Sequence, residues 1–404
     1  MSHEVHELPE TNLPRFAGGR TLMLGGAVVG VIGLLATALL GMRAPRETLF
    51  AYLIAFIYWL GLSIGAMTLV LSNHIAGARW NVSVRRLGET LGSVVPLFAL
   101  LFLPLLLGAR YVWFWVAPDP SLSEEMLRML DHKAPYLNLT SFTIRAAVYF
   151  IIWTTYALRL RWLSVQQDAS GDPELTRKMR SISPLGLLLF MLSMTFAAFD
   201  WLMSLQPTWY STIFGLYIYA GAFVASMAMV CLIVTGLRAA QTPWGKLLTV
   251  DQQHNLGKYL FAFIAFWAYM AFSQYMLIWA GNLPEELIWI VNRSKGVWRP
   301  IGQFILVGHF LIPFFLLLSR DLKRSPQRLA AVAVWVLAVH YVDLYWVVMP
   351  AIDPNAIGFS LAHVTAFIGV GGLSVAVTAA LLRGAPPVPV KDPYLEDSLR
   401  YVQP

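Results

Sequence analysis

The stretch LAAVAVWVLAVHYVDLYWVVMP, residues 329–350, is apolar over about twenty residues, which is enough for one helix to cross the hydrocarbon core of a bilayer. Two of its members, His340 and Asp343, can carry a charge. A charged side chain at mid-bilayer costs about 2.5–3.5 kcal/mol on insertion scales, so such residues normally face the interior of a helix bundle. The stretch therefore predicts a membrane-spanning helix with a polar face turned inward.

Apolar runs of similar length recur along the whole chain. The protein has 404 residues, of which 58% are hydrophobic and 13% charged, whereas a soluble domain has roughly 25% charged residues. The pattern predicts an all-α polytopic membrane protein with ten transmembrane helices and no separate soluble domain. The predicted spans are centred on residues 21–41, 49–73, 89–108, 142–160, 183–206, 211–236, 257–280, 301–318, 329–350 and 360–382.

A short motif occurs twice and indicates an internal repeat. FDWLMSLQP, residues 199–207, resembles VDLYWVVMP, residues 342–350, and in both an aspartate precedes a proline by seven positions. The aspartates, Asp200 and Asp343, fall in spans that run in the same direction, and a Leu-Gly pair precedes both the third and the seventh span. The repeat predicts two parallel, pseudo-symmetric four-helix bundles, spans 2–5 and spans 6–9, with spans 1 and 10 peripheral.

The repeat also sets the predicted organisation of the chain. Within span 1, Gly26 and Gly30 have the small-xxx-small spacing that lets two helices approach closely. The predicted segments are a cytoplasmic N-terminal segment 1–20, peripheral span 1 in 21–47, a first bundle in 48–207, a second bundle in 208–350, peripheral span 10 in 351–383 and a cytoplasmic Pro-rich tail in 384–404.

The positive charge is best explained by membrane topology. The formal net charge is +7, but the Lys and Arg residues are scattered through short loops without a basic run or an interleaved aromatic stripe, which excludes a nucleic-acid partner. Most of them fall in the segments on the same side as the N-terminus. By the positive-inside rule, both termini are expected in the cytoplasm.

Cysteine content limits the redox chemistry of the chain. Cys231 is the single cysteine and lies in an apolar span, which excludes an intrachain disulfide, a cysteine-ligated iron-sulfur cluster and a CxxCH haem attachment. An electron carrier must belong to another subunit or be held by histidine. Two imidazoles among His309, His340 and His363 could in principle hold haem b, but the favoured expectation is that this chain binds no cofactor.

Three segments outside the spans have distinct patterns. Ser121 and Glu124 have the spacing of a capping box, which predicts a short interfacial helix in that outer loop. Pro284 is placed to be the first residue of a second interfacial helix. The tail GAPPVPVKDPYLEDSLRYVQP, residues 384–404, predicts an extended arm that lies against a partner.

Ionisable and amide side chains inside the spans are the candidate functional residues. Most of them fall in the outer half of the membrane, and two, His74 and Glu89, fall near the cytoplasmic side. Such residues often form proton pathways. The proposed proton path comprises Asp343, His340, Asp200, His309, His74, Glu89, Arg145, Gln274 and His363.

Spacing suggests how some of these residues interact. His340 and Asp343 are three residues apart on one helix, so they share a face and could exchange a hydrogen bond or a proton. Arg145 would pair with Asp200 if spans 4 and 5 pack together. Two explanations stay open: the polar groups move protons, or they satisfy one another and hold the helices together. Glu89, close to a span end, could also extend its carboxylate to the interface.

Four stretches carry a resemblance to a known family. They resemble the F-type membrane subunit of alternative complex III, within the membrane-anchor family of polysulfide reductase. The resemblance extends over the ten-span length, and the two longest stretches are its most specific part. The stretches are HIAGARW in 74–80, HKAPYLN in 132–138, FDWLMSLQPTWYSTIFGLYIYAG in 199–221 and FSQYMLIWAGNLPEE in 272–286.

The resemblance implies a haem-free subunit of a respiratory or photosynthetic quinol:electron-acceptor oxidoreductase in the bacterial inner membrane. It implies partner subunits that carry iron-sulfur clusters and haem c, among them a periplasmic iron-sulfur subunit and a sister membrane subunit that binds quinol. The substrate of the complex would be menaquinol or another quinol, and the acceptor a cytochrome c or a copper protein.

The favoured hypothesis for this chain is a structural and proton-conducting role without redox activity of its own. Its route would begin near His74 and Glu89 and end at Asp343 with His340, or at Asp200. A quinol-binding catalytic subunit is the first alternative, and a secondary transporter is the second.

Overall fold

The computed structural model describes residues 16, 18–240 and 242–403, and over these residues it is all α-helical, with ten helices long and apolar enough to span a membrane. The predicted all-α, ten-span fold is confirmed. Most of the segment 1–20 lies outside the described residues. The spans are Gly19–Gly41, Pro45–Ile75, Val82–Leu107, Leu139–Ser170, Pro173–Leu205, Phe214–Ala239, Val250–Gly281, Trp298–Leu318, Pro326–Ala351 and Leu361–Arg383, numbered 1 to 10 in this order.

Spans 2 to 5 and spans 6 to 9 make the same pattern of neighbour contacts. Span 2 contacts spans 3 and 5, span 3 contacts span 4, and span 4 contacts span 5; spans 6 to 9 repeat this ring. Spans 2 and 6, the first members of the two rings, pack against each other and are the most buried spans. The polar side chains that the two rings enclose therefore lie on either side of this central pair.

Spans 1 and 10 form a close pair on the outside of span 2. Their backbones touch because glycines line the contact: a Cβ on Gly30 would lie 2.6 Å from the Leu373 nitrogen, and one on Gly33 would lie 2.7 Å from the Gly369 Cα. Span 1 is otherwise largely exposed. This agrees with the small-xxx-small spacing and with the peripheral position expected for both spans.

Two spans depart from regular α-helix at prolines, which lack the backbone N–H that an α-helix needs. Span 3 is interrupted before the segments Val95–Leu101 and Leu103–Leu107, which contain Pro96 and Pro104 at their starts. Span 8 widens into a π-helical turn over Leu306–Leu311. That turn carries His309, one of the candidate residues.

We call the end of the molecule where span 1 begins and span 10 ends the terminal face, and the other end the opposite face. Two short helices lie in loops at the opposite face, Glu124–Lys133 between spans 3 and 4 and Pro284–Ser294 between spans 7 and 8. The second begins at Pro284, as predicted. For the first, the prediction of Ser121 as the cap is wrong: the side chain of Ser123 accepts the hydrogen bond from Met126 N, because the helix begins two residues later.

The tail was expected to be an extended arm lying against a partner. In the structure residues 384–403 instead fold back onto the terminal face of their own chain and include a short helix, Leu395–Leu399. Asp392 of the tail pairs with the buried Arg85 of span 3, and the carbonyl and hydroxyl oxygens of Ser398 both accept from Gln252 Nε2 of span 7. The tail is therefore folded against its own chain and is not an extended arm.

Candidate functional site

The carboxylate of Asp200 is neutralised by an arginine of the neighbouring span. Asp200 is fully buried near the opposite end of span 5. Arg145 of span 4 donates from Nε to Oδ2 and from Nη2 to Oδ1, both at 2.8 Å, and Tyr149 donates from its hydroxyl to Oδ2 at 2.7 Å. A bidentate pair of this kind is among the strongest polar contacts in proteins. The pairing expected if spans 4 and 5 pack together is present.

A loop residue covers the Arg145–Asp200 pair from the opposite face. The guanidinium carbon of Arg145 lies 3.8 Å from the ring centroid of Tyr136, and Arg145 Nη1 donates to the Tyr136 carbonyl at 3.0 Å. Burial, and then the nearby Asp200 carboxylate, raise the pKa of Tyr136 to about 12, so its hydroxyl stays protonated. The first ring thus holds its acid in a closed, ion-paired arrangement.

Asp343, the matching acid of the second ring, has a neutral partner. Its side chain is buried, and the hydroxyl of Tyr217 on span 6 donates to its Oδ1. Within the described residues no Lys or Arg forms an ion pair with Asp343. A buried carboxylate without a cation beside it can gain and lose a proton more readily than one held by a bidentate arginine.

Two imidazoles face each other one turn away from Asp343. The rings of His309 and His340 have centroids 5.7 Å apart and planes inclined by 19°, and both side chains are buried. Neither ring nitrogen of His309, nor Nδ1 of His340, has a hydrogen-bond partner among the residues that the structure describes. No hydrogen bond joins His340 to Asp343 in the described part of the chain, so the direct exchange suggested by their spacing is not made. Asp343 bonds to Tyr217 instead.

The wide turn of span 8 explains how His309 reaches this position. Pro313 follows His309 by four residues and has no N–H for the His309 carbonyl, so the α-helical pattern cannot continue through this segment. Single π-helical turns occur often at functional sites. His309 lies in this turn and is fully buried. Its ring packs against the indole of Trp267 in an edge-to-face arrangement, with ring centroids 4.1 Å apart.

A cavity of about 860 Å³ lies between spans 7 and 8 and the helix Pro284–Ser294. Aromatic side chains line much of it, among them Tyr217, the partner of Asp343, and Trp289. Gln274 on its wall is 3% exposed, and no described residue forms a hydrogen bond with its amide nitrogen or its amide oxygen. An apolar cavity with a few unsatisfied polar groups is the usual form of a small-molecule site.

Arg293 is a buried cation on the wall of the same cavity. Its Nη2 donates to the Val347 carbonyl at 2.6 Å and its Nε to the Trp346 carbonyl at 3.2 Å, which lie in the last turn of span 9. Burial lowers the pKa of Arg293 to about 9, so it remains charged at neutral pH. A cation at a helix C-terminus is favourable, and this arginine thus binds carbonyls rather than Asp343.

Glu89 belongs to a buried ion-pair network near the terminal face. Its Oε1 accepts from Arg85 Nε at 2.9 Å, and its Oε2 lies 3.2 Å from Arg86 Nε. Arg85 also pairs with Asp392 of the tail, and Arg86 with Asp168 of span 4, each at 2.8 Å. Glu89 is fully buried. The expectation that its carboxylate extends to the interface is therefore wrong, because two arginines hold it inside.

His74 lies at the terminal end of span 2, beside a small cavity. The side chain is buried, and within the described part of the chain its Nε2 has no hydrogen-bond partner. Arg85, Arg180 and Tyr394 of the tail also line this cavity, which has a volume of about 10 Å³. Space of that size accommodates about one water molecule.

His363 is placed apart from the other histidines as a helix cap. Its Nδ1 accepts from the Ser360 nitrogen at 3.1 Å, which completes a capping box at the start of span 10. Its ring lies 5.0 Å from Phe359 and 5.4 Å from Tyr345. A local role in starting span 10 accounts for these contacts.

The predicted site residues thus form three groups rather than one path. The second ring contains Asp343, His340, His309 and Gln274, the first ring contains the Asp200–Arg145 pair, and the terminal face contains His74 and Glu89. Sequence reasoning missed the partners, since nothing in the local sequence marks which residue on another span meets which acid. The missed residues are Tyr149, Tyr217, Trp267, Arg293, Arg85, Arg86, Asp168 and Asp392.

Among the residues described, no group of three or more His, Cys, Asp or Glu side chains is placed to hold a metal ion. Comparison of the sequence with models of known protein families finds no match, and comparison with curated proteins finds no similar chain. What the helices and their composition establish is a multi-pass membrane protein with ten candidate spans.

Proposed function

We propose that this chain is an integral subunit of a bacterial quinol:electron-acceptor oxidoreductase of the alternative complex III type, and that its second ring of helices carries protons. The four motif stretches that resemble the F-type membrane subunit support the assignment to such a complex. The chain then lies in the inner membrane with its terminal face in the cytoplasm. Its partner subunits hold the iron-sulfur clusters and haem c, and among these partners are a sister quinol-binding membrane subunit and a periplasmic iron-sulfur subunit.

The difference between the two matching aspartates is the observation that carries the proposal of proton transfer. Arg145 binds Asp200 through two hydrogen bonds, whereas Asp343 is bonded to the neutral hydroxyl of Tyr217. Next to Asp343, His309 and His340 offer ring nitrogens that have no hydrogen-bond partner among the described residues. The second ring therefore contains three groups that can exchange protons at the depth where the first ring holds its matching acid in an ion pair.

Polar side chains on the central pair of spans are the candidates for a route between this centre and His74. Thr68 of span 2 and Tyr219 of span 6 share a hydrogen bond of 2.8 Å, and the hydroxyl of Ser226, further along span 6, is buried without a partner among the described residues. His340 can lie against span 6 because residue 221 is glycine: a Cβ there would lie 3.0 Å from the His340 Cε1. We propose that protons travel between these groups on internal water and reach Asp343.

Asp343→Asn in the intact complex is expected to lower the protons released per electron by about half or more, because an amide cannot take up and release a proton. Quinol oxidation itself should continue. The measurement is proton release and electron transfer together, in proteoliposomes with the terminal face inside. Asp200→Asn is the matched control variant. It is expected to reduce the stability and assembly of the complex and to leave the ratio of protons to electrons unchanged. An unaltered ratio in Asp343→Asn would rule out the relay.

A second candidate function is quinol binding by this chain, and the unsatisfied amide of Gln274 favours it. The cavity beside Gln274 is large enough for a ring-shaped head group, and the exposed side chains of Phe272 and Tyr275 at its rim lie on the outer surface of span 7. The amide offers one donor and one acceptor, which suit the hydroxyl and carbonyl groups of a quinol or quinone.

Gln274→Leu is expected to weaken binding of a short-chain menaquinone analogue by about tenfold, since one hydrogen-bonded buried group is typically worth 1–2 kcal/mol. Binding is measured by quenching of tryptophan fluorescence in the purified chain. Gln303→Leu is the control, because Gln303 lines the same cavity but is exposed. Equal binding by the parent protein and Gln274→Leu would remove this candidate.

A further inference from the structure

The C-terminal tail, residues 384–403, ties the two rings of helices together at the terminal face. Ser398 is fully buried. Its hydroxyl donates to the Trp80 carbonyl at 2.8 Å, before span 3, and its own carbonyl accepts from Gln252 Nε2 on span 7 at 2.7 Å. One tail residue thus contacts segments that belong to different rings. The tail is therefore packed against the terminal face.

The tail also supplies one charge of the buried ion-pair network. Asp392 pairs with Arg85 at 2.8 Å, and both side chains are almost completely buried. With Asp392 docked, the network has equal numbers of acids and arginines, and without it one buried positive charge has no counterpart. Burying an unpaired charge is strongly unfavourable, so Asp392 and the face stabilise each other. The members are Arg85, Arg86, Arg161, Glu89, Asp168 and Asp392.

Tyr394 is the tail residue that lies beside His74, since both side chains line the same small cavity. Its ring lies between two guanidinium groups, 4.7 Å from that of Arg79 and 4.6 Å from that of Arg180. Cation–π contacts of this kind are attractive and hold the ring in this position. The same ring forms a wall of the cavity beside His74, which has room for about one water molecule.

We infer that the tail is a latch: with Asp392 and Tyr394 docked it closes the cavity of His74 to the solvent, and their release opens this cavity at the terminal face. The observation behind this inference, that Tyr394 and His74 line one cavity, does not depend on any function of the chain. Its consequence, control over the entry of protons from the cytoplasm, rests on the proposed function. When open, the face presents Arg79, Arg85 and Arg180 around the entrance.

The test measures access to position 74 directly, so it does not depend on proton transfer. In His74→Cys the new thiol is reacted with a small charged methanethiosulfonate reagent, with the full-length chain in nanodiscs so that both faces are accessible. The parent protein, whose single cysteine Cys231 is buried, is the blank. The thiol of His74→Cys is expected to react slowly, and adding Asp392→Asn or Tyr394→Ala is expected to raise its rate at least about tenfold, since each removes part of the docked tail.

Glu396→Gln is the matched control, because Glu396 lies in the same tail but pairs with Arg400 in an exposed position. It should leave the labelling rate unchanged. The latch is supported if either Asp392→Asn or Tyr394→Ala accelerates labelling while the protein keeps its elution volume and helical circular dichroism. It is overturned if His74→Cys already reacts as fast as a free thiol, or if neither variant changes the rate. Failure of the proton relay would leave these labelling results as they are.

Discussion

Arg145→Ala is expected to destabilise the protein by about 3 kcal/mol, because it leaves the carboxylate of Asp200 buried without its cation. This loss of unfolding free energy lies at the lower end of the range for buried ion pairs, because the Arg145 side chain is 20% exposed and water can reach it. Tyr149 would still donate one hydrogen bond to Asp200. The measurement is reversible unfolding in mixed SDS micelles, followed by circular dichroism.

A second variant separates loss of charge pairing from loss of packing. Arg145→Ala combined with Asp200→Asn removes both charges and should recover a large part of the lost stability, because no unpaired charge remains. Arg128→Ala, which breaks an exposed pair with Glu124, should have no measurable effect. If the double variant loses as much unfolding free energy as the two single variants lose together, the two residues do not act as an ion pair.

Asp200 and Asp343 occupy matching positions of one repeated motif but have different partners. In the first ring the partners Arg145 and Tyr149 come from span 4, and in the second ring the partner Tyr217 comes from span 6. The second ring has a buried arginine of its own, Arg293, but that arginine binds carbonyls at the end of span 9. The motif therefore fixes the depth of each aspartate, while the surrounding side chains decide whether it is paired.

Much of the fold was predictable because membrane spans are encoded locally. A run of about twenty apolar residues must form a helix in lipid, since every backbone polar group needs an internal partner there. The close pairing of spans 1 and 10 was predictable in part, from Gly26 and Gly30. Both features depend on composition within one segment, which a single sequence contains.

The candidate site was less predictable because its contacts join residues far apart in the chain. Tyr217 on span 6 donates a hydrogen bond to Asp343 on span 9, and Asp392 of the tail pairs with Arg85 on span 3. Hydropathy gives the depth of a residue but not the direction in which its side chain points. Depth alone therefore grouped Glu89 with the snorkelling residues, although the structure encloses it between arginines.

Glu89→Gln is expected to destabilise the protein by about 3 kcal/mol, although the change keeps the shape of the side chain. Glu89 contacts both Arg85 and Arg86, and all three side chains are buried. The amide removes one negative charge, which leaves an unbalanced positive charge in a region that water reaches poorly. Had Glu89 extended to the interface instead, the same change would have little effect, so unfolding in mixed SDS micelles distinguishes the two arrangements.

The charge balance itself can be tested with a further variant. Glu89→Gln together with Arg85→Gln restores equal numbers of acids and arginines and should recover part of the stability; recovery stays incomplete because Asp392 then lacks its arginine. Glu174→Gln, which breaks an exposed pair with Arg177, is the control and should unfold as the parent does. A Glu89→Gln protein as stable as the parent would contradict the buried network, and the tail would then have to be held by Ser398 and Tyr394 alone.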